Sequence, residues 1–308
     1  MADKRVLAFG NPVYDYITTP QISTQERILS GCSTNACLAI SRLGYPSTLI
    51  GGVGADYRAR LEQELSECGI KAHLFQTTQT GGFALNYLDE QGNRTLSILG
   101  IAEPLPADLI PDDEAEFILL GPILSEISLD LVKNLTKKYA APILLDPQGL
   151  LRTIQNGNII HELSQAFIDI ATLSTIIKAN EVETLVATGI NARQDPEKAV
   201  RALYQYGCKI AVVTLAEAGS VIYDGESVYN IPPYTTDALD PTGAGDTYAA
   251  GFIVKYMETP WDLGAVGCFA SAVASVMVEN IGPHFPLTRT EADRRAGILQ
   301  SGPQKLKL

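Results

Sequence analysis

Short apolar runs and helix-spaced patterns take turns along this chain. Val6–Gly10, Ser47–Gly51, Phe117–Leu120, Ile143–Asp146, Thr175–Ile177 and Ile210–Thr214 are rich in Val, Ile and Leu, which predicts buried strands. Between them, Asn35–Leu43 places Ala36, Leu38, Ala39, Ile40 and Leu43 on a helical pattern, and Tyr57–Cys68 carries Leu61 and Leu65 four apart before Gly69 ends it. Leu129–Tyr139, Glu181–Thr188 and Pro196–Tyr206 read as further helices, and two more are expected near the end. Strands alternating with helices make βαβ units, so the expected class is α/β with a mostly parallel sheet covered on both faces.

One stretch breaks that rhythm. Phe83, Leu85 and Tyr87, then Leu96 and Ile98, alternate around the polar run Asp89-Glu90-Gln91-Gly92-Asn93, which predicts a β-hairpin over Gly82–Leu99. With Tyr14–Leu29 it would form a small sheet projecting from the core, as a lid over a cleft, an edge decoration or a dimer contact. No repeat or long linker is visible. The expectation is one domain, 1–308, with a discontinuous small β lid from about 14–29 and 72–102.

Composition narrows the function. The chain has 308 residues, about two domains' worth at ~150 each, although one α/β core of this size is common. Hydrophobic residues at 46% and charged residues at only 19% predict a large buried core. A net charge of −12 argues against nucleic acid, whose phosphates need excess Lys and Arg. A small phosphorylated ligand stays open, because backbone amides bind anions without net positive charge. The five cysteines are scattered and show no C-x-x-C spacing, which predicts reduced thiols and a cytoplasmic protein. The start of the chain lacks a signal-peptide pattern, and Ala265–Val278 is too short to span a bilayer, so no membrane partner is expected. There is no G-x-x-x-x-G-K-[ST] loop, and the three histidines lie far apart, without zinc-site spacing.

The most informative segment is Asp240-Pro241-Thr242-Gly243-Ala244-Gly245-Asp246-Thr247, followed by helix-compatible residues to Met257. Two glycines around an alanine leave amide N–H groups uncovered just where a helix begins, and those amides and the helix dipole favour an anion. Asp246 sits at that terminus, either as a reactive carboxylate or as an N-cap worth about 1 kcal/mol.

Asp240–Gly251 resembles the C-terminal signature of the ribokinase/PfkB family of carbohydrate and nucleoside kinases. The resemblance implies a ribokinase-like three-layer α/β/α sandwich with a small β lid, and a phosphotransferase that uses ATP with Mg2+. It implies Asp246 as the general base and Gly243, Ala244 and Gly245 as the hole for the transferred phosphoryl. Lys178-Ala179-Asn180-Glu181-Val182-Glu183 is similar to the family's N-x-x-E element, which implies Asn180 and Glu183 near Mg2+ through water. Ile210–Gly219 resembles the nucleotide-side strand and turn, which implies Thr214 and Gly219 as contacts, with Ala216 departing from the usual glycine. Ser271 falls where the family often has an adenine-side asparagine. Asp240 and Thr242 fall where many members hold a monovalent cation such as K+.

On the acceptor side, the resemblance implies Asp15 for substrate hydroxyls, and Ser30-Gly31-Cys32-Ser33-Thr34-Asn35 is similar to the family's G-G-x-x-x-N motif, with Gly31 and Asn35 retained. Asp146 and Arg152 follow a strand end, where α/β sheets bind ligands; Arg152 serves an anion or a surface salt bridge. The acceptor is read as a small sugar or polyol, with a loose likeness to myo-inositol kinases. The alternative is a nucleoside, prompted by Gly10-Asn11-Pro12 and an aromatic shelf of Tyr14, Phe83 and Tyr87. A non-catalytic ligand-binding homologue is the remote third reading, and a homodimer through the lid is the expected assembly.

Overall fold

The computed structural model describes residues 5–88 and 94–301. The first part of the chain forms β1 (Val6–Phe9), β2 (Val13–Thr18), β3 (Ile28–Ser30), α1 (Cys32–Arg42), β4 (Ser47–Gly54), α2 (Arg58–Glu67) and β5 (Lys71–Thr77). Then come β6 (Gly82–Tyr87), β7 (Arg94–Gly100), β8 (Phe117–Leu120), α3 (Leu129–Lys138), β9 (Ile143–Leu145), β10 (Arg152–Gln155), β11 (Asn158–His161) and α4 (Gln165–Ala171). The last part holds β12 (Ile176–Asn180), α5 (Glu181–Thr188), α6 (Pro196–Tyr204), β13 (Ile210–Thr214), β14 (Ser220–Tyr223) and β15 (Val228–Ile231). Helices α7 (Ala244–Glu258), α8 (Leu263–Val278) and α9 (Arg289–Ser301) complete it.

The apolar runs are continuous because their strands are buried on both faces. Nine strands form one sheet in the order β15-β14-β13-β12-β9-β8-β1-β4-β5, parallel except for β14 and β15. Alternate residues of each strand feed two cores. Val6, Ala8, Leu119 and Leu144 pack with α1, α2, α7, α8 and α9, while Leu7, Phe9, Leu120 and Leu145 pack with α3, α4 and α6. The expected three-layer α/β/α arrangement with a mostly parallel sheet is what the chain adopts. Helix starts follow local chemistry: Ser128, Ser164 and Asp195 each accept an N–H of the first turn.

A second sheet has the order β3-β2-β6-β7. Its Val13, Ile17, Phe83, Leu85 and Tyr87 form a separate apolar cluster with Cys32 and Ile123. The hairpin turn at Asp89-Glu90-Gln91-Gly92-Asn93 lies outside the described residues. The expected boundary at 72 is corrected: β5 pairs in parallel with β4 from Thr48–Lys71 to Gly54–Thr77, so it closes the large sheet instead. Ala72 and Leu74 on one face and Phe75 on the other join the two main cores, which is why the strand belongs there.

Several elements went unread in the sequence, a hairpin and a helix among them. The hairpin β10–β11 turns through Asn156-Gly157, both with positive φ (51° and 79°), the pairing that a two-residue hairpin turn favours. Its Ile159 packs against the small sheet's cluster. Helix α9 is polar along most of its length and buries Ala292, Arg295 and Ala296, too sparse a stripe to announce itself. No helix among the described residues is long and apolar enough to cross a membrane.

Candidate active site

From β1 the sheet grows through β4 and β5 on one side and through β8, β9, β12 and β13 on the other, so ligands are expected at the carboxyl ends of β1 and β8. The backbones there nearly touch: a Cβ on Gly10 would stand 2.2 Å from the Gly121 carbonyl oxygen. That close approach brings in the start of α1, where Ser33 Oγ donates to the Phe9 carbonyl at 2.8 Å.

Above these strand ends sits the first turn of α7. Gly243 is its N-cap, with φ of 80°, a left-handed conformation that glycine adopts without strain. Asp246 is therefore the third helical residue rather than the cap, and the capping reading falls away. Its carboxylate accepts Asn35 Nδ2 at 2.9 Å, and the Cys32 thiol also donates to it. Of the expected anion hole, the Ala244 amide donates to the Pro241 carbonyl at 3.2 Å, so it is engaged within the turn. The amides of Gly245 and Asp246 precede the first intrahelical bond, Thr247 N–H to the Gly243 carbonyl, and remain open to a ligand.

Three further side chains converge here that the motifs did not assign. Lys178 lies on β12 with its Nζ 2.5 Å from Asp146 Oδ2 and 3.3 Å from the Gly245 carbonyl, and both side chains are buried. Ligand atoms of Cys32, Asp146 and Asp246 all lie within 4.8 Å of one another. Burial, and then the Asp146 charge, push the Asp246 carboxyl up from its ordinary value; the Asn35 hydrogen bond, the Lys178 ammonium and the Cys32 thiol hold it down. The signal was present in the sequence: a lysine inside an apolar strand needs a carboxylate partner.

Of the residues expected to meet the nucleotide, Asn180 and Thr214 are neighbours across β12 and β13. Asn180 and Glu183 close on each other as a capping box: Asn180 Oδ1 accepts the Glu183 N–H, and the two Glu183 oxygens accept the Asn180 N–H and Nδ2 at 2.8 Å each. Burial, and then the Asp146 charge, push the Glu183 carboxyl above its ordinary value. Gly219 closes the β13–β14 turn with φ of 88°, and a Cβ there would meet the Ile231 carbonyl oxygen at 2.1 Å. Ser271 Oγ donates to the Pro232 carbonyl, tying α8 to the exit of β15 beside that turn. Ala216, where the family's pattern has glycine, takes φ of 47°. A left-handed alanine costs about 1 kcal/mol or more. Ala216→Gly is accordingly expected to raise stability by about 0.5–1 kcal/mol, read as a higher urea midpoint with unchanged slope; an unchanged or lower midpoint would show the turn to be unstrained.

Of the residues expected to meet the acceptor, Gly31 caps α1 and Asn35 reaches Asp246. Asp15 is buried on β2, its Oδ1 accepting the Phe83 N–H at 2.7 Å and tying β2 to β6. Between the small sheet and the strand ends lies a cleft lined by Val13, Phe83, Ile101, Ala102, Ile123 and Leu124, with Asn11 and Glu126. Glu126 accepts the N–H groups of Asn11, Ile123 and Leu124, so its carboxylate braces the loops. Tyr14 is not part of an aromatic shelf: it points away, stacked on Tyr57 and hydrogen-bonded to Glu64 at 2.6 Å. Arg152 is buried rather than in a surface salt bridge, with Nη1 3.4 Å from the Ile123 carbonyl. Asp240 is fully buried and its Oδ1 accepts the Thr242 N–H at 2.9 Å. Thr242 Oγ1 is 2.8 Å from the Tyr87 hydroxyl, so the small sheet touches the turn that carries Asp246.

Comparison with known proteins finds a family and a fold in common. A model of the pfkB family carbohydrate kinases matches residues 4–290. A nucleoside kinase of Methanothermobacter thermautotrophicus is 28% identical over 95% of this chain and 96% of its own. A pyrophosphate-dependent kinase in the ribokinase family, solved with a pyrophosphate analogue and myo-inositol, superposes with a TM-score of 0.81 at 21% identity, covering 94% of this chain and 99% of that one. A ribokinase II structure from E. coli with ATP and Mg2+ superposes at 0.74 and 19% identity, over 96% of this chain and 99% of that one.

Proposed function

The chain belongs to the pfkB family of carbohydrate kinases, and on that premise we propose that it transfers the γ-phosphoryl group of ATP to a hydroxyl of a small sugar or polyol, with Asp246 as general base. One observation carries the reading: a carboxylate in the first turn of α7, oriented by Asn35 at 2.9 Å, beside the open amides of Gly245 and Asp246. As the acceptor oxygen bonds to phosphorus its proton passes to an Asp246 oxygen, and the bond to the departing ADP breaks. Phosphoryl transfer asks chiefly for positioning and charge stabilisation, which the two amides and the helix dipole supply.

Mg2+ would bring charge neutralisation to the donor phosphates. Asn180 and Glu183 satisfy each other, so they would meet its water shell and not the ion itself. The buried Asp240 carboxylate beneath the turn suits a monovalent cation, with Thr242 beside it. The small sheet is read as a lid, on the strength of the Tyr87–Thr242 contact. Its outer face, with exposed Tyr16 and Leu99, is our candidate surface for a homodimer, and the five unpaired cysteines fit a cytoplasmic setting.

A specific observation favours a second acceptor class. The cleft wall of Phe83, Ile101 and Ile123 suits the flat face of a nucleoside base better than a ring of hydroxyls. The test is product formation by 31P NMR with ATP, and separately pyrophosphate, as donor, against myo-inositol, ribose, fructose, cytidine and adenosine. Phosphorylation of myo-inositol, ribose or fructose by ATP is the expected result. Turnover confined to the nucleosides selects the second reading, and none with either donor overturns the kinase assignment.

A further inference from the structure

The Lys178–Asp146 pair is buried beside Asp246, and its ammonium also faces the Glu183 carboxylate. Both side chains are buried, at 3% and 2% exposure, and a buried ion pair adds little net stability over apolar residues of the same volume. Its surroundings are informative. Asp246 is faced from the end of β9 by Asp146, from β12 by Lys178, and from α1 by the Cys32 thiol and the neutral Asn35 amide. Two carboxylates within 4.8 Å resist being ionised together unless a cation stands between them. Lys178 brings a cation beside them, 2.5 Å from Asp146 Oδ2 and 3.3 Å from the Gly245 carbonyl in the turn that carries Asp246.

We propose that Lys178 and Asp146 are a positioning pair for Asp246: the ammonium offsets the Asp146 charge that faces the base, and Asp146 holds that ammonium off the base. The proposal rests on Asp246 being the general base. Without Lys178, burial and the Asp146 charge both favour the protonated form of Asp246, which cannot accept a proton. Without the Asp146 charge, Lys178 is released toward Asp246 and ties up the carboxylate as an ion pair. The two single changes therefore act on Asp246 in opposite directions, which a merely structural role for the pair does not require.

The experiment is a 13C NMR titration of the aspartate side-chain carboxyls in the wild-type chain, Lys178→Met, Asp146→Asn and the double variant. The Asp246 signal is the one that Asp246→Asn removes. Its midpoint is expected to rise by about one pH unit or more in Lys178→Met, to fall by about half a unit or more in Asp146→Asn, and to lie between these in the double variant. Should Lys178→Met fail to fold because Asp146 is left unpaired, Asp146→Asn and the double variant carry the test. A lower midpoint in the first, restored in the second, supports the proposal. Unmoved midpoints in Asp146→Asn and in every folded Lys178 variant overturn it. Failure of the general-base reading shows separately: Asp246→Asn would then keep its turnover, whatever the titrations give.

Discussion

Asp246→Asn should lower kcat by about a hundredfold or more while leaving donor affinity within about twofold. The amide matches the carboxylate in size, and its oxygen can still accept from Asn35 Nδ2, so the geometry of the first turn is kept. What disappears is the atom proposed to take the acceptor's proton. In the proposed mechanism the donor phosphates are met by the amides of Gly245 and residue 246, which the substitution leaves in place. Stability gives an independent check. Burial and Asp146 hold the Asp246 carboxyl above its ordinary value, so its ionised form destabilises the fold once the pH exceeds that of an unfolded aspartate. A neutral amide removes the penalty, and the melting temperature at pH 7 should stay level or rise. A variant with kcat within fivefold of the wild type would remove Asp246 from the chemistry. A variant that loses turnover because it unfolds would betray itself by a lower melting temperature.

The parts of this site that are legible in sequence are those built from one contiguous stretch. Asp240–Thr247 announces a glycine turn feeding a helix because each backbone requirement falls on a neighbouring residue. Asn180 and Glu183 were visible as a pair for the same reason, but spacing alone did not say that they would satisfy each other instead of a ligand. Lys178, Asp146 and Cys32 are separated by long stretches of chain and meet only because β12 and β9 finish, and α1 begins, at the same end of the sheet. Strand order decides that, and apolar periodicity does not encode strand order. β5 shows the same limit: its alternation fits either sheet, and only its pairing with β4 settles the matter. The overlooked hairpin is different, since Asn156-Gly157 was a readable signal.

Gly243→Ala should lower kcat by about ten- to a hundredfold and cost about 1–2 kcal/mol of stability. Gly243 holds φ of 80°, where an alanine Cβ crowds its own backbone, which accounts for the stability loss. The turnover loss has another source. The new Cβ would stand 3.0 Å from Asn35 Nδ2 and 3.0 Å from Met277 Cε, so Asn35 must yield, and Asn35 is what orients the Asp246 carboxylate. A shift of a few tenths of an ångström moves base and amides together relative to the phosphoryl group, and preorganised donors lose their effect when misplaced. Gly189→Ala separates the two causes. Gly189 ends α5 with φ of 71° and has nothing within 4 Å of the added Cβ, so it carries the same backbone strain without the contact. The two variants should lose similar stability by urea unfolding, and only the one at Gly243 should lose turnover. Equal kcat in both would mean that Asn35 does not transmit the geometry of the turn to Asp246, and that the carboxylate is held by its other partners alone.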